Sequence, residues 1–287
     1  MPEAVLRPWA PKLVADQDEL EGVDYDYMLA EPEPLDWAVE NTFLSETVGL
    51  ISGNGGAGKT TLLMQLATSA VLGLPWLGLA VKPAKALMLC CEDDRRIVRL
   101  RQRWINRALG WDMADVLDAG LDIIPRAGRD NTLMKLDRPS WQMKRTPLME
   151  SLILRCRRTG IQLVIIDTVS KTFGGRLMDE RDVTQFIAEM QRLAEMIRGV
   201  VLLTQHPSMA GRRSGTGESG SVQWESAVRS RLYVHKHQAL GLVVEGMKAN
   251  YAAKAPPLKI EWRRGVFERV EAPPARDFTE AGGYSDS

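Results

Sequence analysis

Gly53-Asn54-Gly55-Gly56-Ala57-Gly58-Lys59-Thr60 is the stretch that decides the fold. It follows the apolar run Val48 to Ser52 and opens onto Thr60 to Leu72, which reads as a buried helix. The spacing is G-x-x-x-x-G-K-[ST], a strand, a phosphate-cradling loop and a helix. Glycines allow the unusual backbone angles that turn successive N–H groups toward one anion, and the helix adds the positive end of its dipole. In such a loop Lys59 reaches the β- and γ-phosphates and the Thr60 hydroxyl ligates Mg²⁺, so Gly53 to Thr61 is the expected nucleotide-binding stretch. Gly53, Gly55 and Gly58 also satisfy G-x-G-x-x-G, the dinucleotide fingerprint. That reading asks for an acid about 20 residues on, at the end of the next strand. The nearest candidate, Glu92, lies 34 residues past Gly58, and Lys59-Thr60 would have no role. The phosphate loop is the better reading.

Outward from the loop, strands and helices alternate. Ala86 to Cys91, Leu163 to Ile166 and Val200 to Leu203 are further apolar runs, and Leu121 to Ile124 is a shorter one. Between them lie a charged helix from Asp93 to about Leu109 and a helical pattern from Thr146 to Arg158 that stops at Gly160. Val183, Phe186, Met190, Leu193 and Ile197 then repeat at helical spacing. The pattern predicts an α/β fold, a mainly parallel sheet covered on both faces by helices. Four later pieces, Leu232 to His235, Leu242 to Met247, Leu258 to Trp262 and Val266 to Val270, read as antiparallel strands extending that sheet.

Composition bounds the rest. The chain has 287 residues, 45% of them hydrophobic, enough for one large domain or two small ones. Thirty-seven bases balance 37 acids, which excludes a histone-like basic binder and leaves room for a local basic surface. Met1 to Asp36 holds ten acids and two bases, so the remainder has a surplus of eight bases. The expected organisation is an acidic arm over 1–36, a domain over 37–271 and a disordered tail over 272–287. The three cysteines, Cys90, Cys91 and Cys156, offer no disulfide framework or zinc spacing and suit a reducing, cytoplasmic setting. No apolar run is long enough for a membrane helix.

Several residues are candidates for chemistry. Asp167 ends the run Leu163 to Ile166, where an acid can hold the Mg²⁺ shell, although buried strands also end in Asp to cap a turn. Glu92 ends the Ala86 to Cys91 strand. It can orient a water, or belong with Asp93 and Asp94 to a helix N-cap cluster. Gln205-His206 closes the fourth strand, either sensing a γ-phosphate or simply ending the strand before Pro207. Two loops leave the same sheet edge: Lys171 to Met178, with Lys171 and Arg176, and Pro207 to Ser221, with Arg212 and Arg213. They are either a basic channel or flexible surface loops. His235 and His237 share a strand face with no further ligand nearby, so no metal site is expected there.

Taken together, the phosphate loop, Glu92-Asp93, Asp167-Thr168, Gln205-His206, the Gly/Ser loop and Lys248-Ala249-Asn250-Tyr251 resemble the RecA-like ATPases. The likeness is to those related to the plasmid replication helicase RepA and, more distantly, to ring helicases of the DnaB type. It covers about Trp37 to Phe267. It implies a RecA-like core, a homo-oligomeric ring expected to be a hexamer, ATP and Mg²⁺ between subunits, and movement on single-stranded DNA. It assigns Glu92 as the catalytic carboxylate, places Gln205 and His206 at the γ-phosphate sensor, and sets Arg101 near adenine. It matches Arg229 to the arginine finger offered to the neighbouring subunit, where the alternative is a pair with Glu225. Lys248 matches the lysine of a K-x-R or K-x-N pair; Asn250 stands at its third position, so one finger is missing from the stricter pattern. Lys171, Arg176, Arg212 and Arg213 would face the central channel. The leading function is then a replicative helicase or translocase of plasmid or phage replication. A recombination mediator, a regulatory ATPase ring and a small-molecule kinase are the alternatives.

Overall fold

Apolar runs become strands buried on both faces, the setting in which parallel sheets are stable. The computed structural model describes residue 23 and residues 25–217, 223–253 and 255–270, with the Ala210 and Arg212 side chains outside them. The first five strands of its main sheet are β1 (Thr47–Gly53), β2 (Lys85–Cys90), β3 (Leu121–Pro125), β4 (Ile161–Asp167) and β5 (Val200–Gln205). Four more follow: β6 (Ser230–His237), β7 (Gly241–Ala249), β8 (Leu258–Arg263) and β9 (Val266–Arg269). The order across the sheet is β9-β8-β7-β6-β1-β5-β4-β2-β3.

From β6 to β3 every neighbour is parallel, and the antiparallel extension begins only at β7. The run Leu232 to His235, expected to be antiparallel, is antiparallel to β7 and parallel to β1 on its other side. The chain returns from the end of β5 to the opposite edge of the sheet before entering β6, a crossover that only parallel pairing needs.

Helices cover both faces. α1 (Lys59–Leu72) and α2 (Arg95–Leu109) pack on the side of Ile51, Met88 and Leu202. α3 (Pro147–Thr159) and α4 (Glu180–Met196) pack on the side of Leu50, Leu87 and Val201. The alternation of Leu50 and Ile51 between the two cores is the period of two of a strand. α1 has eleven of its fourteen residues buried, so it lacks an amphipathic stripe and sits deep in the fold. α3 starts where its sequence says: the Thr146 hydroxyl accepts from Met149 N, Pro147 is the first helical residue, and Gly160 closes the helix at φ 70°.

Shorter elements had no clear sequence signal. They include a hairpin, Trp37–Val39 with Phe43–Leu44, a helix, Met113–Asp118, and a small sheet of Met134–Asp137, Gln142–Arg145 and Phe173–Gly174. The two expected loops are partly helical, over Val169–Thr172 and Met209–Ser214. The described residues from Asp36 on form one compact unit; the stretch up to Leu35 is a separate one whose described part includes the helix Tyr25–Leu29. The tail expected over 272–287 and Ser219 to Ser221 lie outside the described residues. Among the described residues no helix is long and apolar enough to cross a membrane.

Candidate active site

The phosphate loop joins β1, ending at Gly53, to α1, beginning at Lys59. Gly58 caps α1 at φ 84° and brings no side-chain acceptor, so the first-turn N–H groups are left for an anion. A Cβ on Gly58 would stand 2.3 Å from Phe267 Cζ, which with its positive φ admits only glycine there. At Gly55 and Gly56 nothing lies within 4 Å of where a Cβ would be, and both residues are exposed, as is Asn54. Lys59 is buried. Its Nζ donates to Gly53 O at 2.7 Å and to Asn54 O at 3.2 Å, and lies 3.4 Å from His206 Nδ1. Burial pushes the Lys59 pKa down, and the charges of Asp167 and Glu92 oppose that shift.

Sheet order brings the other polar groups to the loop. β5 lies between β1 and β4, so Thr204 stands beside both Ile51 and the end of β4. Thr60 Oγ1 donates to Asp167 Oδ2 at 2.6 Å, and Thr204 Oγ1 donates to Asp167 Oδ1 at 2.6 Å. The buried carboxylate thus has both oxygens engaged. Mg²⁺ takes hard oxygen donors and is usually held by one or two protein groups together with phosphates. A hydroxyl and a carboxylate in contact at the loop's edge fit that ion, and Thr60 and Asp167 would hold it. When bound, it would neutralise phosphate charge.

Glu92 lies just past β2, whose last residue, Cys90, is in register with Asp167. It is exposed and makes no hydrogen bond or ion pair among the described residues, and Lys59 feels its charge. Such a free carboxylate can accept a proton from a water. Asp93 and Asp94 part company. Asp94 is the N-cap of α2, accepting from Arg96 N and Ile97 N, whereas Asp93 pairs with Arg101 instead of capping. Gln205 is in register with Ser52, is buried, and its Oε1 has no hydrogen-bond partner among the described residues. An orphaned buried carbonyl costs free energy until something donates to it, so Gln205 Oε1 is fitted to accept from a donor such as a water, and only the amide Nε2 of this side chain could donate to a phosphate.

Beside the loop opens a cavity of about 930 Å³ lined by Gly55 to Gly58, Thr61, Arg101, Trp104, Tyr233, His235, Trp262 and Phe267. The size is that of a small-molecule site. One wall is aromatic: Trp262 meets Trp104 edge-on at 6.3 Å and Phe267 at 5.0 Å, and Tyr233 stacks on His235 at 4.5 Å. Gln65 fixes that wall to α1, donating to Phe267 O at 3.0 Å and accepting from Phe267 N at 2.8 Å. His235 faces Glu245, with Nε2 and Oε2 2.9 Å apart. Sequence reasoning passed over these aromatics because they arrive from α2, β6, β8 and β9 with no shared local pattern.

The remaining candidates lie elsewhere. β6 aligns Val234 with Gly53, whereas Arg229 precedes the strand and donates its N–H to Val48 O at 3.3 Å. Arg229 is thus five residues back along the strand, roughly 16 Å from the loop at 3.3 Å per residue. Its guanidinium is exposed and has no hydrogen bond or ion pair among the described residues. Glu225, the alternative partner, pairs with Arg231 at 2.6 Å. Lys248 Nζ donates to Glu225 O at 2.8 Å and Ser226 O at 3.0 Å; burial and the nearby Arg229 push its pKa down. Lys171 and Arg213 are exposed. Arg176, expected in a basic channel loop, pairs with buried Asp182 and with Asp179, both at 2.9 Å, and lies over the Trp141 ring. Those pairs hold the start of α4 and neutralise the charge.

A family model described as AAA domain matches residues 15–212, well over half of the chain. The chain belongs to the AAA domain family and is a P-loop ATPase.

Proposed function

We propose that this ATPase works as a ring translocase on single-stranded DNA, of the replicative helicase type represented by the RepA-related RecA-like proteins. The observation that carries the reading is the division of polar groups between two edges of one sheet. Lys59, Thr60, Asp167, Glu92 and Gln205 gather at the C-terminal ends of the strands, while Arg229 stands exposed, with no side-chain partner among the described residues, at the opposite end. Head-to-tail assembly that closes into a ring, here a hexamer, sets one copy's Arg229 against the next copy's loop. In this reading Lys59 and the loop N–H groups bind the phosphates, Thr60 and Asp167 hold Mg²⁺, and Glu92 orients the attacking water. Gln205 and His206 donate to the γ-phosphate, and Arg101 with the aromatic wall faces the base. Lys171 and Arg213 supply cations for a sugar-phosphate backbone.

The test is ATP turnover with and without single-stranded DNA over a salt series. Stimulation that weakens steeply with salt is the expected result. Turnover indifferent to DNA, with no salt-dependent binding, would favour a regulatory ATPase ring. Displacement of a strand from a tailed duplex separates a helicase from a recombination mediator.

A further inference from the structure

α2 carries arginine at every fourth position: Arg95, Arg99, Arg103 and Arg107. That spacing sets them along one side of the helix, about 6 Å apart along its axis. All four are exposed, and none makes a hydrogen bond or ion pair among the described residues. Their neighbours on the same helix do: Arg96 pairs with Asp94, and Arg101 with Asp93. Like charges four residues apart repel and weaken a helix, and only Arg107, in the last turn, is favoured by the helix dipole, so the fold does not account for the ladder as a whole. After Arg107 the chain turns at Gly110, φ 75°, and brings back Trp111, 40% exposed. Trp111 joins Arg99, Arg103 and Arg107 around a cleft of about 320 Å³, where the three guanidiniums outnumber the single carboxylate of the lining, Asp112. Asn106, at that cleft, is held by Gln102 and Met113, so its surroundings are already ordered.

We infer that this face of α2 binds a nucleic-acid backbone, with Trp111 as a stacking platform. The surface goes beyond the loop contacts of Lys171 and Arg213 and does not require translocation. The planar guanidinium fork fits phosphate and carboxylate alike, and two further features select nucleic acid over an acidic protein. The arginines form a regular ladder, as suits a polymer with evenly spaced charges. An exposed indole lies beside them, the combination that holds unpaired bases. The opposite side of α2 gives Arg101 and Trp104 to the cavity at the phosphate loop, and the helix begins directly after Glu92-Asp93-Asp94. A strand held here touches the element that also borders the nucleotide site.

The experiment uses the full chain and fluorescence anisotropy of labelled single-stranded and duplex oligonucleotides from roughly 50 to 200 mM salt. Removing one arginine–phosphate pair flattens the plot of log affinity against log salt by about 0.7 for single strands and about 0.9 for duplex. The combined Arg99→Gln, Arg103→Gln, Arg107→Gln variant should flatten it by about 2 or about 2.7, and bind about tenfold weaker or worse at the low-salt end. Whichever form shows the change identifies the strand state that is bound. Arg103→Gln alone should show about a third of the effect. Trp111→Ala should weaken single-strand binding and leave the slope unchanged. Turnover without DNA should be unaltered in all of these, which verifies folding. Unchanged affinity and slope in the triple variant overturns the inference. If poly-glutamate binds the wild-type chain and not the triple variant while DNA affinity stays intact, the surface serves an acidic protein and the inference fails. Loss of DNA binding only in the Lys171→Ala, Arg213→Ala variant overturns this surface and keeps the loop reading. Loss only in the triple arginine variant supports this surface and counts against the loops.

Discussion

Arg229→Ala separates a shared active site from a self-contained one. An arginine that meets transition-state charge in trans contributes about 10³ to 10⁵ in turnover, or about 4 to 7 kcal/mol of barrier. Arg229 is exposed, has no side-chain partner among the described residues and stands beside Val48 instead of Gly53, so truncation should leave the loop of its own chain intact. Stability should change by less than about 0.5 kcal/mol, as for ordinary surface sites. Turnover should nevertheless fall at least about 10³-fold. Lys59→Ala should be equally inactive, and the two defects should complement. In rings mixed in equal parts, about a quarter of head-to-tail interfaces pair the intact loop of an Arg229→Ala subunit with the intact Arg229 of a Lys59→Ala subunit. Phosphate release should return toward about a quarter of the wild-type rate if interfaces act independently. Subunit exchange is verified by mixing differently tagged chains and isolating doubly tagged rings. Full turnover by Arg229→Ala alone, or verified mixed rings that stay dead, refutes the shared site.

Three further outcomes are expected. Glu92→Gln should keep nucleotide affinity and lose about 10² to 10⁴ in turnover, because only the proton-accepting oxygen changes; Lys59→Ala should lose binding itself, and equilibrium binding of a fluorescent nucleotide tells the two apart. Burial lowers the Lys59 pKa below the ordinary 10.5, so the ammonium discharges earlier than an exposed lysine on alkaline titration. Nucleotide affinity should fall as pH rises through that lowered value. In the same window the nucleotide-free chain gains stability, since the unfolded lysine still binds a proton the folded one has released; an affinity that falls only above 10.5 contradicts this. Trp224 is fully buried, meets Phe173 and Phe186 edge-on and donates its indole N–H to Leu177 O at 3.2 Å. Trp224→Ala should cost about 3 to 5 kcal/mol in urea unfolding, and a loss under about 1 kcal/mol would show that the site is not packed as described.

Much of the site was readable in the chain because its parts are local. The loop's glycines, Lys59 and Thr60 are contiguous, and Asp167 ends an apolar run whose length marks a buried strand. Caps such as Thr146 with Pro147, and stops such as Gly160, need only a few residues to act. Where reading failed, the cause was non-local. The small sheet uses Met134-Lys135-Leu136-Asp137 and Gln142-Met143-Lys144-Arg145, strands too short and charged to stand out from loop. Arg176 reads as part of a basic loop, and its pairs with Asp179 and Asp182 show only in the folded chain.

By itself the sequence determined the phosphate loop, the alternation of strand and helix, and the acid at the end of β4, because backbone preference and side-chain period act over a few residues. It also marked α2 as a charged helix, but not that four of its arginines share one side without partners among the described residues. Tertiary structure alone decided that β5 lies between β1 and β4, which places Thr204 on Asp167. It also turned β6 parallel, and so put Arg229 at the far end of the sheet from Gly53. The aromatic wall of Trp104, Trp262 and Phe267 was decided in the same way. Strand order and such convergences follow from burying two cores at once along the whole chain, a sum over distant residues that no short stretch contains.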